Sequence, residues 1–162
     1  MLNAYKVTHL TLNTMDMKNH TTTENLELYS FYWSEARLAI AALALFLGGI
    51  PPFIYFFPGL YMMSGSLLTL SWIISGVVSA YLLYCWNQGG RKLFGGHNNL
   101  DLYAFFLNVV TGFNLGIAGL LGRNIGMEIS SNHTVFVVAG VLYLVSAWHL
   151  WKRWNAAGRH LF

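Results

Sequence analysis

Four long segments without a single charged residue, 38–57, 67–86, 102–121 and 135–151, constrain this chain more than any other feature. About 20 apolar residues in helical form cross the hydrocarbon core of a bilayer, so each segment reads as a membrane span, the last being the shortest. Composition agrees: 56% of the residues are hydrophobic and 9% are charged, against about a quarter charged in soluble domains. The expected fold class is an all-α membrane protein of about four transmembrane helices.

The first span carries a contradiction. Leu47-Gly48-Gly49-Ile50-Pro51-Pro52-Phe53 sets two glycines and two prolines in its middle, with Pro58 following. Each proline lacks a backbone N–H and its ring clashes with the carbonyl four residues back, so the ladder opens where no water closes it. Such a break is tolerated where neighbouring protein or a cavity satisfies the freed carbonyls. Gly48, Gly49, Pro51, Pro52 and Pro58 are therefore taken as a helix break. Replacing both Pro51 and Pro52 by Ala is expected to straighten the span.

Charge placement gives an orientation. With four spans, Lys6, Lys18, Arg37, Arg91, Lys92, Lys152, Arg153 and Arg159 fall on the side of the termini, and Arg123 alone falls on the other. The positive-inside rule puts that side in the cytoplasm or, in a mitochondrion, the matrix. Tyr32, Trp33, Trp86, Tyr103, Trp148, Trp151 and Trp154 near the span ends fit interfacial aromatic belts.

Three regions follow: a polar arm over 1–33, a helical membrane domain over 34–154 and a short tail over 155–162. In the arm, Thr21 and Glu24 have capping-box spacing, which predicts a helix lying along the membrane face. The arm lacks the order of a signal peptide and the arginines of a mitochondrial presequence, so any targeting signal is expected to be internal or already removed. The connection 87–101 reads as the main water-exposed loop, with Asn98 and Asn99 placed to cap the third span.

Small and polar residues mark faces that meet protein. Ser71, Ser75 and Ser79 recur every four residues in the second span, and Gly112, Gly116 and Gly119 line the third, so both are expected to pack closely on neighbours. Asn108, Thr111 and Asn114 form a polar intramembrane stripe that should also face protein, because amides pointing at lipid are costly.

Chemistry is sparse. No span has an acidic or basic residue in its interior, so the chain alone is not expected to form a complete proton pathway. His149 is the one histidine inside a span, lying near its end, whereas His97, His133 and His160 lie outside; haem between helices needs facing histidines at one depth, so no cofactor is expected. Cys85 is alone and reads as a buried thiol, with neither a disulfide nor a metal cluster. The sequons at Asn19 and Asn132 read as chance. No phosphate loop, catalytic triad or basic nucleic-acid stripe is present, which leaves no catalytic residue and no nucleic-acid partner.

The run Gly49-Ile50-Pro51-Pro52-Phe53-Ile54-Tyr55-Phe56-Phe57-Pro58 resembles the broken-helix motif of the antiporter-like membrane subunits of respiratory complex I, most closely the subunit 2 family, which typically reads S-L-G-G-[IL]-P-P-x-x-G-F-x-[AP]-K. Ser79-Ala80-Tyr81-Leu82-Leu83-Tyr84 is similar to that family's S-x-Y-Y-Y-L-R at the end of the next helix. The likeness covers about a third of the chain, with the Gly-Gly-Ile-Pro-Pro core its specific part. It departs where the family has glycine and this chain Tyr55, where the family has lysine and this chain Gly59, and where the family has arginine and this chain Cys85. The lysine's proton role is thus not carried over.

The resemblance implies a subunit of a proton-pumping NADH:ubiquinone oxidoreductase in the mitochondrial inner membrane, with both termini in the matrix. The chain would complete an antiporter-like bundle in a mainly structural role. Its implied partners are lipid, other membrane subunits and a chain supplying the missing upstream helices. The other reading is an accessory four-helix subunit of another mitochondrial complex, such as ATP synthase or an oxidase.

Overall fold

Helix formation here follows from capping residues and glycine stops set around apolar runs. The structure is a computed structural model that describes residues 23–52 and 61–162. Helix α1, Thr23–Phe46, starts with Glu24 in its first turn, where a carboxylate complements the positive end of the helix dipole. It runs unbroken past residue 33, so the arm's helix and the start of the first predicted span are one element. Thr21 of the capping box, the sequon at Asn19, and Tyr55, Pro58 and Gly59 lie outside the described residues.

The end of α1 shows how the glycines stop the helix. Gly48 and Gly49 take left-handed φ values of 75° and 89°, and Gly49 N–H donates to Ala44 O at 2.8 Å, closing the last turn. Glycine adopts this conformation without a Cβ clash, so the helix stops before the prolines are reached. Pro51 lies in the gap after the stop and Pro52 is already helical, so the helix is broken over residues 47–51.

Helix α2 is Tyr61–Gln88 and α3 is Asn99–Leu121. Asn98 caps α3 by accepting from Leu100 N–H, and Gly122, at φ 67°, ends it by donating to Ala118 O. A short α4, Ile125–Ile129, is capped by Asn124. Helix α5, His133–Ala156, is capped by Asn132, whose side chain accepts from Thr134 N–H; the Asn-x-Thr spacing there is a helix cap.

Among the described residues, three helices are long and apolar enough to cross a membrane, Gly65–Gln88, Asn99–Leu121 and His133–Ala156. Four were expected, and the first of them, 38–57, runs on into residues outside the described ones. The charge-free part of α1 is only 38–46 before the glycine stop, and Glu24, Glu27, Glu35 and Arg37 share the helix.

α1 lies antiparallel along α5. Phe31 stacks on Trp154 with centroids 4.1 Å apart at one end, and Phe46 meets Gly140 at the other. α2 and α3 are antiparallel and tightly apposed, for a Cβ added to Gly116 would lie 2.8 Å from Gly76 Cα. The four long helices therefore form an up-down-up-down bundle, the arrangement that short antiparallel connections favour. α3 is the most enclosed span, while Leu67, Leu70 and Val77 of α2 and Val138, Val141 and Val145 of α5 stay exposed, as lipid-facing positions do.

The loop after α2 is mostly exposed, as expected, with one anchor turned inward. Leu93 is buried in the aromatic core with Phe31, Phe105, Leu150 and Trp154, and Phe94 N–H donates to Leu161 O at 2.8 Å. The loop tip thereby pins the C-terminal residues to the end of the bundle.

Candidate functional site

Asn108 lies nine residues into α3, about 14 Å along a helix whose neighbours cross an apolar layer of about 30 Å, so its amide is near mid-depth. It is almost completely buried and needs partners inside the protein. α1 supplies them. Asn108 Nδ2 donates to Glu35 Oε1 at 2.8 Å and to Ser34 Oγ at 3.1 Å. Arg37 Nη2 donates to Asn108 O at 2.8 Å and to Asn108 Oδ1, and Arg37 Nη1 donates to Ser79 Oγ of α2 at 3.3 Å.

This cluster brings charge into the bundle from just outside the predicted spans. Arg37 was assigned to the charged membrane face, yet it is 7% exposed, as is Glu35. Neither Glu35 Oε2 nor Arg37 Nε has a hydrogen-bond partner. Charges so placed are rare and mark functional positions in membrane proteins. Periodicity could not reveal them, because they precede the apolar run by one to three residues. The available signal was Asn108 itself, a mid-span amide that had to find polar partners.

Gly112 has a different task from its neighbours. A side chain there would collide with the Arg37 guanidinium and Ser79 Oγ, so this glycine makes room for the cation. Gly116 and Gly119 bring α3 against Gly76 and Ile73 of α2. Sequence reasoning missed Gly76, the partner across that contact. Ser79 and Ser75 are buried, Ser75 Oγ accepting from Trp33 Nε1 at 3.1 Å, whereas Ser71 Oγ donates to Leu68 O.

A cavity of about 310 Å³ adjoins the cluster. Arg37, Ser71, Ser75, Thr111 and Asn114 line it together with Gly49, Pro51 and Pro52. The helix stop and the polar stripe, far apart in sequence, thus border one space. Thr111 Oγ1 donates to Leu107 O, and Asn114 ties α3 to the cap of α4 by donating to Asn124 Oδ1 at 2.9 Å. Ser34, Glu35 and Asn108 also border a void of about 10 Å³, close to the volume one water needs.

A second ionic group closes the end of the bundle near the termini. Asp101, fully buried in the first turn of α3, accepts from Arg153 Nε at 3.0 and 3.1 Å and meets His149 Nε2 at 2.6 Å. Arg153 also lies 5.4 Å from the Phe94 ring centroid, linking the loop to α5. His149 is therefore a hydrogen-bonding partner at a helix end. Among the described residues no three of His, Cys, Asp and Glu gather to hold a metal ion.

Long apolar helices enclosing buried charge define the class: an all-α membrane protein with a polar site inside its bundle. Comparison with protein-family models, curated proteins and solved structures found no match.

Proposed function

We propose that this chain is a membrane-arm subunit of a proton-pumping NADH:ubiquinone oxidoreductase, seated in the mitochondrial inner membrane with both termini in the matrix and docked on the chain that supplies the upstream antiporter-like helices. The observation that carries the reading is the buried Glu35–Asn108–Arg37 cluster. Ionisable groups at membrane depth are the elements from which proton relays are built.

The Gly-Gly-Ile-Pro-Pro motif supports the same reading, since it ends α1 beside the cavity that reaches the cluster. The lopsided charge also favours it. Arg91, Lys92, Lys152 and Arg153 gather at the end where the loop meets the C-terminal residues, while Arg123 at the opposite end pairs with Glu128 at 2.8 Å.

The test is native electrophoresis of solubilised membranes with mass spectrometry of the band containing this chain. Co-migration with NADH dehydrogenase activity and antiporter-like subunits is the expected result. Co-migration with ATPase or oxidase activity would overturn the assignment in favour of an accessory subunit of that complex.

A further inference from the structure

The cavity beside Arg37 has a shape and a polarity that select an occupant. Its α1 wall recurs at Trp33, Arg37, Ile40, Ala44 and Leu45, about 18 Å of helix, so the space is long and follows the axis of the bundle. Ile40, Leu68, Trp72, Leu115 and Phe136 make most of its surface apolar. At about 310 Å³ it falls at the lower end of small-molecule sites. An apolar space of this kind prefers an apolar chain to water.

The polar end is specific about sign. The Ser71, Ser75 and Thr111 hydroxyls already donate to the Leu68, Ser71 and Leu107 carbonyls. Arg37, more than nine-tenths buried, is the one charged side chain among the described residues that line the cavity. An anionic or hydrogen-bond-accepting head group suits that cation, whereas an ammonium head would face a guanidinium in low dielectric. A doubly charged phosphate would leave one charge without a cation in this lining.

We propose that this cavity binds a membrane-dissolved amphiphile with one unbranched apolar chain and a single carboxylate or carbonyl head, the chain lying along α1 and the head seated at Arg37. The site stands apart from the assembly proposed above, because it is contained within this chain.

The experiment uses the purified full chain in detergent and dibromostearate, whose bromines quench tryptophan on contact. Trp72 and Trp33 line the cavity, so the expected result is a saturable quench, displaced by stearate and lost in large part in Trp72→Phe. Arg37→Gln should weaken the carboxylate by about tenfold or more, as loss of a charged hydrogen bond does. Ala139→Phe fills the α5 wall without touching the cluster and should abolish the saturable component, which keeps the test decisive if Arg37→Gln does not fold. Quenching that is only linear in probe, or unchanged in Ala139→Phe, would overturn the site. Equal displacement by stearate and stearylamine would overturn the assignment of the head to Arg37.

Discussion

Arg37 holds Asn108 at two atoms, the backbone carbonyl at 2.8 Å and the side-chain amide oxygen, across 71 positions of sequence. Asn108 in turn donates to Glu35 two residues before Arg37, so one amide on α3 bridges an acid and a base on α1. Because the acid and base leave the membrane face together, α1 is committed to the bundle by polar bonds as well as by packing.

Arg37→Gln is expected to destabilise the bundle by about 3–5 kcal/mol, because removing one member strands buried charge and buried polar atoms. Glu35→Gln combined with Arg37→Gln should cost less than the sum of the single variants, the mark of residues in one network. Denaturant unfolding in detergent, followed by circular dichroism, measures both. A loss under about 0.5 kcal/mol for Arg37→Gln, the range of ordinary surface substitutions, would rule the clamp out.

At the α2–α3 contact, Gly116→Ala would place a Cβ 2.8 Å from Gly76 Cα, where backbone has to move. The expected cost is about 1–3 kcal/mol, typical of overpacking. Gly65→Ala in α2 meets nothing within 4 Å and should be neutral or stabilising, since alanine favours helix. Opposite shifts of melting temperature in the two variants are the readout.

Gly48→Ala should destabilise the end of α1 by about 1–2 kcal/mol through its left-handed φ of 75°, although its surroundings are open. Pro51→Ala with Pro52→Ala should leave the helix end in place, reversing the expectation drawn from the prolines alone. Comparison of helix content and melting temperature separates the two; a longer helix in the double variant would restore the prolines as the cause.

Asp101→Asn removes the carboxylate shared by Arg153 and His149. Both partners keep some access to water, so the expected loss is about 1–3 kcal/mol, below that of the central cluster. A lower melting temperature together with faster proteolysis after Arg91 or Lys92 would show the loop releasing from α5.

Much of the framework was legible because it depends on local chemistry. Charge-free runs at 67–86, 102–121 and 135–151 predict spans, since lipid demands an apolar face and a closed hydrogen-bond ladder. Asn98 predicts the cap it makes, and Asn108 could be assigned to protein because an amide in lipid has no partner.

What the sequence by itself determined is therefore the class of the fold, the spans of α2, α3 and α5 and the need for a polar interior. Only the tertiary structure decided where the charges go. Glu35 and Arg37 look like flanking charges because their burial depends on Ser79 and Asn108, from two other helices, arriving at the same depth. Gly112 likewise reads as one more small residue until Arg37 lies against it. Hydropathy registers a residue's own preference for water, whereas the compensation that makes a buried charge tolerable is a property of neighbours brought together by folding.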